Sequence, residues 1–139
     1  MGKRLSIAAA VVAVLFCSCQ SVPVVWDDSL PDEKTAVVLF VNVTITSYNG
    51  IGVTKFNHAR IPAGETTMGG DFAVYHAGMS FRLKDMEFTF LFEQGKEYIV
   101  QGSSQEMLWG VSVYEASKYS EATAETRVAF IPFKNQPSQ

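Results

Sequence analysis

From Thr35 onward, apolar and polar residues alternate with period two, the spacing that puts every second side chain on one face of a β-strand. Val37, Leu39, Val41, Val43 and Ile45 fall on one face; Asn42, Thr44 and Thr46 fall on the other once Val38 and Phe40 have passed. This predicts one long strand, buried on both faces at its start and on one at its end. Asn49-Gly50 follows, the dipeptide most tolerant of the positive φ angles of a type I′ turn, and predicts a hairpin returning through Ile51 and Val53. Ile61-Pro62-Ala63-Gly64 predicts a turn before a strand over 66–76. Phe81 and Leu83, then the alternating Phe88, Phe90 and Phe92, predict two further strands with Lys84-Asp85 as a corner between them. Glu93-Gln94-Gly95-Lys96 turns the chain into a strand over 98–101, Trp109, Val111 and Val113 alternate in the next, and 128–133 forms a last one ended by Pro132.

Short strands separated by Gly- and Asn-bearing turns favour an all-β, antiparallel sandwich of about seven or eight strands over a parallel α/β sheet, which needs amphipathic helices between strands. Only 114–126 offers room for a helix, and Ala116, Ala122 and Ala124 make it a short one. Phe88, Phe90 and Phe92 are expected to face inward as plain core rather than line a ligand cavity. The domain spans 35–133; 134–139 is a polar tail expected to fray, and 19–34, with Pro23, Pro31 and four acidic residues, reads as a tether.

The amino terminus changes the picture. Lys3 and Arg4 form a basic start, and Leu5 to Phe16 gives twelve apolar or small residues, too few for a span of about 20. Residues 1–18 therefore read as a signal peptide. Leu15-Phe16-Cys17-Ser18-Cys19 resembles a lipobox, with small Ser18 and Cys17 ahead of the cysteine and Phe16 standing where the family usually has Leu, a loosening similar to that of spirochaete lipoproteins. The resemblance implies that Cys19 receives lipid and becomes the first mature residue. It places the protein in the cell envelope outside the cytoplasm, anchored to the outer or inner membrane, and Gln20 lacks the acidic character that retains some lipoproteins in the inner one. Each buried CH₂ contributes about 0.8 kcal/mol, so two or three acyl chains anchor for good. The alternative is an ordinary secretory signal cut after Cys19 or Ser21. Cys17 and Cys19 are the only cysteines, so no disulfide framework holds the domain.

The run from Ala36 to Tyr114, with its opening strand, Ile61-Pro62-Ala63-Gly64-Glu65 and Phe92-Glu93-Gln94-Gly95-Lys96-Glu97-Tyr98 leading into a strand, resembles small exported bacterial domains of the transthyretin- or PEGA-like type. This implies a sandwich acting as a module of an envelope lipoprotein, without an assigned chemistry.

Losing Lys3 and Arg4 with the signal takes the eleven basic residues to nine against fourteen acidic, a formal net charge of −5, which disfavours nucleic acid as a partner. His58 and His76 stand at no metal-ligand spacing, and a site of His76 with Asp71 is the less favoured reading. No G-x-S-x-G elbow is present, the acidic pairs Asp27/Asp28 and Asp32/Glu33 lie in the tether, and Gly50, Gly52, Gly69 and Gly70 read as turn or bulge residues rather than a phosphate loop. Tyr48, Tyr75, Tyr114 and Tyr119 suit either a binding face or the edges of a core. The favoured reading is a non-enzymatic, membrane-tethered module without a cofactor. It binds a protein or surface component through the hairpin at Tyr48, Asn49 and Gly50 together with the 68–79 segment carrying Tyr75 and Met79. The alternative is a hydrolase or ligand-binding lipoprotein whose site assembles from His58, His76, Asp71 and Glu65.

Overall fold

A computed structural model describes residues 31–117 and 125–137. The signal peptide, Cys19, Trp26, Tyr119 and most of the expected short helix lie outside the described residues. One 3₁₀ turn, Asp32–Lys34, leads into nine strands: β1 Thr35–Val41, β2 Val43–Tyr48, β3 Ile51–Phe56, β4 His58–Pro62, β5 Gly64–His76, β6 Met79–Phe92, β7 Glu97–Gln105, β8 Leu108–Glu115 and β9 Ala129–Pro132. They form two sheets, β4-β1-β7-β8-β9 and β3-β2-β5-β6, with β1 and β7 the one parallel pair among them. The all-β sandwich is thus the fold.

The expected single strand from Thr35 to Thr46 is two strands in different sheets. Asn42 adopts φ 55°, a left-handed conformation that Asn tolerates better than most residues, and the chain crosses from one sheet to the other there. The extra residue reverses the alternation: Ala36, Val38 and Phe40 fill the core before the crossing, Val43 and Ile45 after it. Val37, Leu39 and Val41 consequently do not share a face with Val43 and Ile45. A second reversal occurs within β2, where Ile45 pairs with Gly70 and Ser47 with the adjacent Gly69, leaving Thr46 as a bulge and turning Tyr48 inward. A side chain at Gly70 would collide with the Thr44 carbonyl, so glycine is what lets β5 pass this bulge.

Lys84-Asp85 is likewise not a corner between two strands but a bulge inside β6. Gly70 pairs with Met86 and Phe72 with Leu83, and Asp85 takes φ 55°. Its amide donates to Asp71 Oδ1 at 3.3 Å and its carbonyl accepts Asn135 Nδ2 at 2.8 Å. Beyond it Phe88 and Phe92 are fully buried. Phe90 is half-buried against the rings of Phe92 and Tyr98, at 4.9 and 5.5 Å. The Asn49-Gly50 hairpin forms as expected, with φ 48° and 80° and Tyr48 opposite Ile51.

The start of the polar tail does not fray. Asn135 Oδ1 accepts the Glu87 amide at 3.1 Å, and Lys134 N–H donates to the Glu87 carbonyl at 2.8 Å. Gln136 brackets Trp109, its Oε1 accepting the amide at 3.0 Å and its Nε2 donating to the carbonyl at 2.8 Å. Two side-chain amides thus act as peptide groups, Asn135 covering the edge strand β6 and Gln136 continuing along β8 where its pairing with β9 stops. Phe133, 4.7 Å from Phe72 between ring centroids, closes the core beside them.

Candidate functional site

The β5–β6 and β7–β8 hairpins end together. Ala77 and Gly78 make one two-residue turn, both with positive φ, and Glu106-Met107 makes the other, with Glu106 at φ 57°. His76 Nδ1 lies 3.0 Å from Ser104 Oγ and joins the two tips. Trp109 packs edge-on to His76 at 5.5 Å and to Phe81 at 5.3 Å. Met79, directly opposite His76 in the ladder, shares its face.

Around this half-buried tryptophan, large apolar side chains stand in solvent: Met107 is 74% exposed, Met79 59% and Leu108 44%. His76, Ser104, Glu106, Met107, Leu108 and Trp109 line an open concavity of about 190 Å³ between them. Leu39, Ile51 and Leu91 are exposed elsewhere, each on its own strand. Exposed apolar residues gathered in one place mark contact surfaces, and single ones do not.

The residues expected to form one binding surface are placed apart. Tyr48 is only 9% exposed, and burial raises its phenol above the ordinary value of 10.0 against an opposing hydrogen bond with Thr66. Asn49 is spent on its neighbour strand, donating its amide to the Thr67 carbonyl at 2.7 Å and accepting the Thr67 amide on Oδ1 at 2.9 Å. Tyr48 pairs with Met68, itself fully buried, whereas Tyr75 stands seven residues further along β5, about 23 Å at 3.3 Å per residue. Tyr75 is 65% exposed and, like Met79, sits at the far end from the Asn49-Gly50 turn, but on the outward face of its sheet, opposite the face that Met79 shares with His76. Tyr114 is buried.

His58, His76, Asp71 and Glu65 do not converge. Glu65 and His76 occupy opposite ends of β5, His58 is on β4 in the other sheet, and Asp71 holds the β6 bulge. Among the described residues no group of three His, Cys, Asp or Glu is placed to hold a metal ion. His76 instead meets Ser104, a serine that no local motif marks. Met107 and Leu108 have no part in the expectations from sequence, and Phe81 enters them only as a strand residue, although an apolar Met-Leu pair at a turn between two alternating strands is a legible signal. With the geometry set out, comparison with known proteins adds no relative. No family profile, curated protein or solved structure matches the chain.

Chemically, the tip combines a His–Ser contact with exposed apolar area. A serine nucleophile needs a base whose other nitrogen is oriented by a third group. Here Glu106 lines the same concavity without a hydrogen bond or ion pair to His76 among the described residues. Methionines and a tryptophan rim, by contrast, supply adaptable apolar area around an aromatic anchor.

Proposed function

We propose that the chain is a lipid-anchored envelope protein whose sandwich works by contact, presenting the paired hairpin tips to a protein partner. The observation that carries this reading is the cluster of Met79, Met107 and Leu108 exposed around Trp109. Topology supports it. The described chain enters at Pro31, and β1 runs parallel to β7 with Val37 opposite Glu97, so the entry lies at the start of β7 and the tips at its end. Eight residue steps, about 26 Å, separate the two. An anchor at Cys19 then joins the domain through the entry end, opposite the tips. Labelled palmitate is expected to enter the wild type and not Cys19→Ala; equal labelling, or a mature terminus beyond Cys19, overturns the anchoring.

A hydrolase is the second reading, favoured only by the His76–Ser104 contact at 3.0 Å beside Glu106. Ester hydrolysis abolished by both Ser104→Ala and His76→Ala, with partner contact intact, would place it first.

A further inference from the structure

The second sheet carries a concavity of another kind on its outward face. Asn42, Thr44, Asn57, Asp71, Ser80 and Arg82 line about 450 Å³ of open space. Asn42 and Asn57 stand where the chain crosses between sheets, and their backbones are fixed: the Asn42 carbonyl accepts the Ala73 amide at 3.0 Å, and the Asn57 carbonyl accepts the Phe40 amide at 2.8 Å. Their side-chain amides, and the Arg82 guanidinium, make no hydrogen bond or ion pair among the described residues. Asp71 spends one carboxylate oxygen on the Asp85 amide at 3.3 Å and keeps the other. Fixed backbones therefore present unspent donors and acceptors of both kinds to one space.

Charge narrows the ligand. Arg82 and Asp71 balance, so an anion gains no net attraction, and an apolar group would strand polar atoms. Tyr75 pairs with Ser80 across the ladder, lies on the same outward face and is 65% exposed, which offers a flat aromatic surface beside the polar rim. We propose that this face binds a neutral pyranose unit of a glycan chain, its hydroxyls meeting Asn42, Asn57, Asp71 and Arg82 and its C–H face resting on Tyr75. The site is separate from the hairpin tips and does not depend on their role.

The test is calorimetric titration of the full-length protein in detergent micelles with the tetrasaccharides of β-1,4-linked N-acetylglucosamine, β-1,4-linked glucose and α-1,4-linked glucose, and separately with inorganic phosphate. At least one tetrasaccharide is expected to bind. Tyr75→Ala, Asn57→Ala and Asp71→Asn should each weaken it by about tenfold or more, a change of about 1.4 kcal/mol, while Met107→Ser leaves it unchanged. Asp71→Asn retains an acceptor for the Asp85 amide, and unchanged far-UV circular dichroism separates lost binding from lost folding. Absence of binding at about 10 mM, binding of phosphate alone, or affinity indifferent to Tyr75→Ala and Asn57→Ala overturns the proposal.

Discussion

The two ends of this sandwich use the same strands in opposite ways. At the end where the described chain enters, loops are locked. Gly95 N–H donates to the Thr35 carbonyl at 2.8 Å, Ala63 N–H to the Lys34 carbonyl at 3.0 Å, and Glu93 N–H to the buried Tyr98 hydroxyl at 3.0 Å. Lys96 bonds Glu93 and Glu115, which raises its ammonium above the ordinary value. At the other end, two-residue turns leave Met79 and Met107 in water around Trp109. One end ties its loops together by hydrogen bonds, and the other leaves large apolar side chains exposed. Change at the locked end is therefore costly to folding, and change at the exposed tips is not.

The contrast breaks most visibly in the aromatic cluster behind the locked end. Phe92→Ala should cost about 3–5 kcal/mol in urea unfolding, because a fully buried ring is removed from against Phe90 and Tyr98. Asn135→Ala should cost about 1–2 kcal/mol, since it withdraws both the acceptor for Glu87 N–H and the donor to the Asp85 carbonyl. Tyr98→Phe removes one acceptor and should cost about 1 kcal/mol. Met107→Ser and Met79→Ser should stay within about 0.5 kcal/mol of wild type, because neither side chain is buried. A large loss at the tips would mean that they are structural.

Titration sharpens the contrast further. Burial raises the Tyr48 phenol, so the folded state holds that proton more tightly than the unfolded chain. The stability this contributes is complete below the ordinary value of 10.0 and is lost as pH rises through the folded value. Ultraviolet absorbance should show a tyrosine ionising above the ordinary value of 10.0, and Tyr48→Phe should remove that late step.

Elements with a strong local signal were legible in the sequence. Asn49-Gly50 requires positive φ at two successive positions and folds as read, and the Glu93–Lys96 turn and the Trp109, Val111, Val113 alternation hold. What escaped were single-residue interruptions. Asn42, Thr46 and Asp85 each insert one residue, and because the side-chain period is two, each flips every residue beyond it to the other face. Asn42 and Asp85 are residue types that tolerate positive φ, but nothing in the sequence marks which such residue inserts a flip, and Tyr48, expected on a binding hairpin, lies inside. The tail escaped for a related reason: Asn135 and Gln136 look solvated in sequence but replace backbone partners across 48 and 27 residues. Tyr75 and Met79 are exposed as expected, whereas Met107 and Trp109 come near Met79 only through the pairing of two hairpins distant in sequence.

Photocrosslinking in intact cells tests the contact account most directly, with a photoreactive residue placed either at Met107 on the open end or at exposed Gln94 on the locked one. The account predicts a discrete protein adduct from position 107 that Met79→Ser weakens, and only background from position 94. Adducts from 94 with none from 107 would contradict it.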